Sequence, residues 1–361
     1  MARTAYLKLA NGMLFKGEYF GAEGEVTGEV VFTTAMTGYL ETITDPSFYG
    51  QIVIQSFPLI GNYGVIPSDF ESKKPWLKGY IVREVCEEPS NFRSEGDLSS
   101  YLKSQGIIGI CGIDTRALTR IVREYGVMNG KISPNPEYTE EENRDICSYR
   151  VVDAVKSVGG GEKSDVSPEN PQRRVVLWDF GAKANIGREL LKRNCEVITV
   201  PSDTTAEQIL SYHPDGIMLS NGPGDPAENV EIIAELKKLC VAKIPTFGIC
   251  LGHQLLALCQ GAETHKLKYG HRGANQPVLN REDGRIYVTS QNHGYAVTTE
   301  TLPLTAQLSY SNVNDESCEG IRYLNMPAFS VQFHPEASAG PQDTKFMFDD
   351  FMTLIDTHKK S

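Results

Sequence analysis

The sequence predicts an α/β protein in two parts: a mixed, strand-rich α/β domain over residues 1–156, a linker over 157–172, and a parallel sheet with flanking helices over 173–361. Three features point there. At 361 residues the chain is longer than one hydrophobic core usually supports, since typical domains hold about 100–200 residues. The stretch "SVGGGEKSDVSPENPQRR", Ser157 to Arg174, is dominated by Gly, Ser, Pro and charge, the composition of a connecting segment. Beyond it, apolar strand runs alternate with helical patterns, the rhythm of a parallel sheet with right-handed crossovers.

In chain order, "MARTAYLKLANGMLFKG" alternates apolar and polar residues before a turn, which reads as a strand of the mature protein and not as a signal peptide. "EVVFTTAM" and "QIVIQSF" are strand-like runs between Gly and Pro turns, and "DTRALTRIVREYG" has helical spacing with Asp114 as N-cap. After the linker come "RVVLWDF", "NIGRELLKRN", "EVITV", "TAEQILSYH", "GIMLSN", "NVEIIAELKKLC", "IPTFGIC" and "LGHQLLALCQ", strand and helix by turns. Further strands follow in "RIYVTSQNHGYAV", "TAQLSYSN" and "GIRYLNMPAFSVQFHP", and "TKFMFDDFMTLIDTH" is a closing helix.

Composition removes several function classes. Forty per cent hydrophobic and 22 per cent charged residues are ordinary globular values. A net charge of −11 repels phosphate backbones and anionic lipid, so neither nucleic acid nor membrane is an expected partner. No window reaches the roughly 18 uninterrupted apolar residues that span a bilayer. The eight cysteines contain no C-x-x-C pair, which argues against a zinc ribbon or disulfide framework and for a reducing, cytoplasmic setting; no metal site is expected.

The chemistry concentrates in "GICLGHQ". Gly248-Ile249-Cys250-Leu251-Gly252 has the form G-x-[S/C]-x-G, a nucleophile elbow whose glycines relieve crowding at a strand-to-helix turn. The N–H groups of the following helix favour a thiolate there. Cysteines more often serve as small packed hydrophobes, and Cys240 and Cys259 are read that way. A base for Cys250 is offered by "SVQFHPEAS": in His334-Pro335-Glu336 the carboxylate is spaced to hold the imidazole while the other ring nitrogen faces the sulfur. His253 and His293 are expected to support the site from behind. In "LSNGPGDP", Pro223 has no N–H, so Gly222 or Gly224 must supply an oxyanion donor, with the Leu251 amide as the second. "DFG" at 179–181 lacks the companion kinase motifs, and no phosphate-binding G-x-x-x-x-G-K-[ST] occurs.

Together and in this order, the elbow, the N-G-P-G-D-P loop and the His-Pro-Glu segment resemble a class I, triad-type glutamine amidotransferase domain. The first half, in "VVFTTAMTGYLETITDPSFYGQIVIQSFPLIGNYGV" and "CGIDTRALTRIVREYGVMNGKI", is similar to the N-terminal domain of the carbamoyl phosphate synthetase small-subunit family. "WDFGAKANI" resembles that family's first glutaminase strand, and "HKLKYGHRGANQPV" its loop beyond the elbow helix.

The resemblance implies hydrolysis of L-glutamine through a Cys250 thioester. His334 would protonate the departing ammonia and then activate water, and Glu336 would orient His334. It implies a glutamine pocket of Ser47, Gly222, Gly224, Leu251, Gln254, Asn292, Gly294 and Tyr295, the last standing where the family often has phenylalanine. It also implies a large partner subunit that uses ATP and Mg, to which ammonia passes through a tunnel, with no cofactor in this chain. Two other functions are weighed beside it: a glutaminase serving another synthase or acting alone as a γ-glutamyl hydrolase, and a catalytically silent regulatory subunit.

Overall fold

A computed structural model describes residues 3–137, 139–159, 161–337 and 339–360, which divide into two units, Met1–Val152 and Asp153–Ser361. In the first unit the strands are β1 Thr4–Leu9, β2 Leu14–Gly21, β3 Val26–Thr33, β4 Gln51–Gln55, β5 Leu59–Ile60, β6 Gly79–Ile81, β7 Glu84–Val85, β8 Ile108–Cys111 and β9 Met128–Ser133. Its helices are α1 Tyr39–Thr44, α2 Leu98–Ser104, α3 Thr115–Tyr125 and α4 Glu140–Ser148. Seven of these strands close into a barrel in the order β1-β2-β8-β6-β4-β3-β9.

Strand periodicity explains the barrel's two apolar layers. Val31, Val53 and Tyr80 share a register row and pack with Leu40, Ile43, Leu98 and Leu102 of α1 and α2. The next row, Phe32, Ile54, Ile81 and Ile110, points to the opposite face, and its three isoleucines are fully buried there. As expected, Asp114 caps α3, its carboxylate accepting from the Ala117 amide at 2.9 Å.

The second unit carries α5 Ala154–Val158, β10 Ser164–Val166, β11 Arg173–Trp178, α6 Ala184–Leu191, β12 Cys195–Val200, α7 Ala206–Ser211, β13 Gly216–Leu219, α8 Val230–Val241, β14 Thr246–Ile249 and α9 Leu251–Cys259. After these come β15 Thr264–Asn280, β16 Ile286–Val297, β17 Ala306–Asn312, β18 Cys318–Tyr323, β19 Ala328–Val331 and α10 Phe346–Lys359. One 10-stranded sheet runs β10-β12-β11-β13-β14-β19-β18-β17-β15-β16. Neighbours from β12 through β14 to β19 are parallel, and the rest of the sheet is antiparallel. Every residue of β13 and β14 is buried, as a parallel sheet covered on both faces requires. One apolar cluster holds Ile209, Leu236, Leu239 and Leu255 from α7, α8 and α9, and the other holds Ile186, Phe348 and Phe351 from α6 and α10.

Two segments differ in detail from their sequence reading. Within 157–172, Ser164–Val166 pairs antiparallel with β12 and extends the sheet edge. "HKLKYGHRGANQPV" is not a loop but most of β15, interrupted by register shifts between Lys266 and His271 and between Gly273 and Gln276. The Gly-rich composition that reads as a loop serves these bulges, with Gly270 at φ 70°.

Candidate active site

The site is assembled at the carboxyl ends of parallel strands, where open α/β sheets gather their ligands. β11 ends into the 179–183 turn, β13 into the 220–226 loop, β14 into Cys250, and β19 into the segment bearing His334 and Glu336. The strand order brings these four ends side by side in the sequence β11-β13-β14-β19.

Cys250 has φ 52° and ψ −103°, a backbone conformation that side chains with a Cβ rarely adopt. Strain of this kind is held only where neighbours over-determine it. Here the Cys250 amide donates to Val331 O at 2.9 Å and the Gly252 amide to Ser220 O at 3.0 Å, tying the elbow to β19 and to the β13 loop. A Cβ on Gly248 would lie 2.8 Å from Gly252 O, and one on Gly252 would lie 2.7 Å from Leu219 Cβ and closer still to the Leu219 carbonyl. Both glycines are therefore demanded by close backbone approach. Gly252→Ala is expected to cost about 1–3 kcal/mol by overpacking and to lower glutamine turnover with it. Urea melts that superimpose on those of the unmodified chain would contradict this account of the elbow.

The Cys250 side chain is only 2% exposed and lies among core residues; its thiol approaches Asn292 O at 3.7 Å. Leu251 opens α9, so its amide has no acceptor within the helix. In the β13 loop, Asn221 is fully buried; it accepts from the Lys183 amide at 2.9 Å and donates to Gly181 O at 2.9 Å. Gly224 has φ 88°, and a Cβ there would come within 2.8 Å of Ala154 Cβ. A Cβ on Gly222 would strike Phe180 O and lie 2.7 Å from Leu251 Cδ2. The loop is thus held close to the start of α9 by contacts that any side chain would break.

His334 and Glu336 are almost wholly buried, and His334 Nδ1 lies 2.6 Å from Glu336 Oε1. With Nδ1 donating to the carboxylate, Nε2 is the ring nitrogen that faces away from Glu336, and it has no hydrogen-bond partner among the described residues. Burial and the Lys183 ammonium oppose protonation of the ring, but the nearby negative charge of Glu336, followed by the electrostatic influence of Cys250, outweighs them and raises its pKa to about 9. Burial acts to raise the Glu336 pKa, yet His334 and Lys183 bring it below the ordinary carboxylate value.

Of the other residues singled out from the sequence, Gln254 is buried; its amide nitrogen donates to Tyr295 O at 2.7 Å and to Gln332 Oε1 at 2.9 Å. That bond fastens α9 to β16, on which Asn292, Gly294 and Tyr295 lie in succession. Ser47 belongs to the first unit, in a short turn where its amide donates to Asp45 Oδ1 at 2.8 Å. Burial lowers the His253 pKa to about 3, and its Nδ1 meets Ser330 Oγ at 2.8 Å, so it is a neutral packing residue. His293 is likewise kept neutral by burial and then by His271, its Nδ1 donating to Tyr295 O at 2.8 Å.

Lys183 was not picked out from the sequence. Its Nζ lies 3.4 Å from His334 Nδ1 and 3.7 Å from Glu336 Oε1, at the residue preceding α6. The available signal was its place just past the end of a central parallel strand. A second unforeseen cluster lies behind β16. His271 Nε2 is 2.8 Å from Asp315 Oδ2 and its Nδ1 is 3.4 Å from Glu319 Oε1; these carboxylates overcome burial and raise its pKa to about 9. His271, His293 and Glu319 have ligand atoms within 4.8 Å of one another, a spacing that would suit a metal. Gln291 Oε1, however, lies 3.1 Å from His271 Nδ1 and 3.0 Å from His293 Nε2, so hydrogen bonds already engage those ring nitrogens.

A parallel sheet that presents a cysteine elbow, a histidine–glutamate couple and a glycine loop at its carboxyl edge defines a class I glutamine amidotransferase domain, and residues 176–354 match the family model described as glutamine amidotransferase class-I. Residues 7–132 match the model described as carbamoyl-phosphate synthase small chain, CPSase domain. The chain is 51% identical over 355 residues to a carbamoyl phosphate synthase small chain of Bacillus cereus, covering 98% of this chain and 96% of that one. It is 51% identical over 360 residues to that of Fusobacterium nucleatum, covering 98% and 99%, and 48% identical over 373 residues to that of Syntrophotalea carbinolica, covering 99% of each. The chain belongs to the carbamoyl phosphate synthase small chain family.

Proposed function

We propose that the chain is the glutaminase subunit of a carbamoyl phosphate synthase. Cys250 Sγ attacks the side-chain amide carbon of L-glutamine, forming a C–S bond while the carbonyl oxygen takes on negative charge. The Leu251 amide and that of Gly222 or Gly224 stabilise this oxyanion. His334 donates its proton to the departing nitrogen, releasing ammonia and leaving a thioester, then takes a proton from the water that hydrolyses it to glutamate. Glu336 orients the imidazole and balances its charge. Gln254, Asn292, Gly294 and Tyr295 hold the substrate.

Ammonia then passes to a large partner subunit, which binds ATP and Mg and combines it with bicarbonate. The site of action is the cytoplasm; in keeping with this, no helix among the described residues is long and apolar enough to cross a membrane. The observation that carries the reading is the strained Cys250 elbow beside a buried imidazole whose other nitrogen is held 2.6 Å from a carboxylate. The test is glutamine hydrolysis by the chain alone and with the large subunit, with and without ATP. The complex should form carbamoyl phosphate from glutamine, bicarbonate and ATP. Hydrolysis of glutamine without transfer to any large subunit would refute the assignment.

A further inference from the structure

We propose that Cys240 and Cys259 form an oxidant-sensitive dithiol, a modification site separate from the catalytic thiol that closes reversibly to a disulfide around the nucleophile elbow. Cys240 lies in the last turn of α8 and Cys259 ends α9, and their Sγ atoms are 3.7 Å apart, in contact. Bond formation at about 2.05 Å requires the sulfurs to close the remaining gap by side-chain rotation and a small helix adjustment. Cys240 is partly exposed and Cys259 is 6% exposed in contact with it, so a small oxidant reaches the pair along the Cys240 side.

The surroundings favour ionisation of one sulfur. Cys240 and Cys259 share a hydrogen bond in which either sulfur can donate, the Gln260 amide donates to Cys259 Sγ at 3.5 Å, and the Cys259 thiol can also donate to Leu256 O at 3.2 Å. The bonds with Cys240 and Gln260 draw the Cys259 pKa down against the effect of burial, while the shared proton holds that of Cys240 up.

Hydrogen peroxide is the co-reactant. Cys259 thiolate attacks one peroxide oxygen, the S–O bond forming as the O–O bond breaks, and the departing hydroxide takes up a proton to become water. Cys240, losing its proton, then attacks the sulfenyl sulfur; the S–S bond forms, the S–O bond breaks, and a second water leaves. Two thiols and one peroxide give one disulfide and two waters. The loop so closed contains β14, Cys250 and all of α9, so oxidation staples the strand-turn-helix unit that presents the catalytic sulfur. In a reducing compartment such a pair rests as thiols and closes under oxidative load.

The experiment treats the purified full-length chain with one equivalent of hydrogen peroxide, blocks free thiols with iodoacetamide, and maps peptides without reduction. A Cys240–Cys259 linked peptide pair is expected, reverting to two alkylated thiols after dithiothreitol, with a melting temperature several degrees higher while linked. Cys240→Ser, at a partly exposed position, should lose both the linked pair and the melting shift. Recovery of Cys240 and Cys259 as free thiols while exposed Cys147 is oxidised would overturn the proposal. So would linkage of either residue to a different cysteine, or a melting shift that survives in Cys240→Ser.

Discussion

Cys250→Ala is expected to lower glutamine-dependent turnover on the order of 10⁶-fold, the scale that follows when the nucleophile of a unit acting in concert is deleted, while ammonia-dependent synthesis by the complex should stay within about two-fold. The asymmetry follows from the division of labour: only thioester formation needs the sulfur, and free ammonia bypasses that step. Alanine keeps a Cβ at φ 52°, so the strain of the elbow is unchanged and the fold should not relax. The assay is carbamoyl phosphate formation with glutamine or with ammonium salt as nitrogen donor, alongside a thermal melt. Equal loss of both activities would make Cys250 a structural residue at an interface, and retained glutamine hydrolysis would remove it as the nucleophile.

Glu336→Gln is expected to slow glutamine hydrolysis by about 10²–10⁴-fold and to change the pH dependence of stability. Without the carboxylate the largest influence favouring protonation of His334 is gone while burial and Lys183 still oppose it, so the imidazole pKa falls. The linkage signs can be worked out for each partner. His334 in the folded chain titrates at about 9, above its unfolded value of about 6.5, so its contribution is complete below that unfolded value and is lost as pH rises through the folded one. Glu336 is shifted down, so its contribution is present above about 4.3 and is lost as pH falls through its folded value. Between these limits the variant should be less stable by about 3 kcal/mol, since removing one partner leaves the other charges buried and unbalanced. Urea unfolding across the range should show the gap between the two stability curves widest between these limits and narrowing toward both the acid and the alkaline ends. A constant offset at every pH would mean that the couple is not ionic in the folded chain.

The candidate site was legible because its geometry is local. G-x-C-x-G fixes a turn through backbone crowding, and the structure shows the same crowding at Gly248 and Gly252. H-P-E places a carboxylate two residues from an imidazole, within hydrogen-bond reach wherever the segment lies. N-G-P-G-D-P marks a loop of close backbone approach, and Gly222 and Gly224 meet Phe180 and Ala154 there. Lys183 could not be read this way. It reaches His334 and Glu336 only because β11 lies two strands from β14 and three from β19, an order that no local pattern states. The His271–Asp315–Glu319 cluster was hidden for the same reason: His271 lies on β15, Asp315 between β17 and β18, and Glu319 on β18, segments that only the folded sheet brings together. Glycines that read as a loop in "GHRGANQPV" were shaping a strand.

What the amino-acid order settled unaided was the kind of element most segments form, β10 and β15 being the exceptions, and which side chains are chemically matched within a few positions of one another, since periodicity, glycine spacing and capping act over one or two turns of chain. What only the folded chain decided was which distant segments share an edge: that Cys250 and His334 leave adjacent parallel strands, that an ammonium stands beside their couple, and that two cysteines on neighbouring helices touch. The physical reason is that side-chain recognition is short-ranged, whereas strand order is chosen by the burial of the whole apolar surface at once.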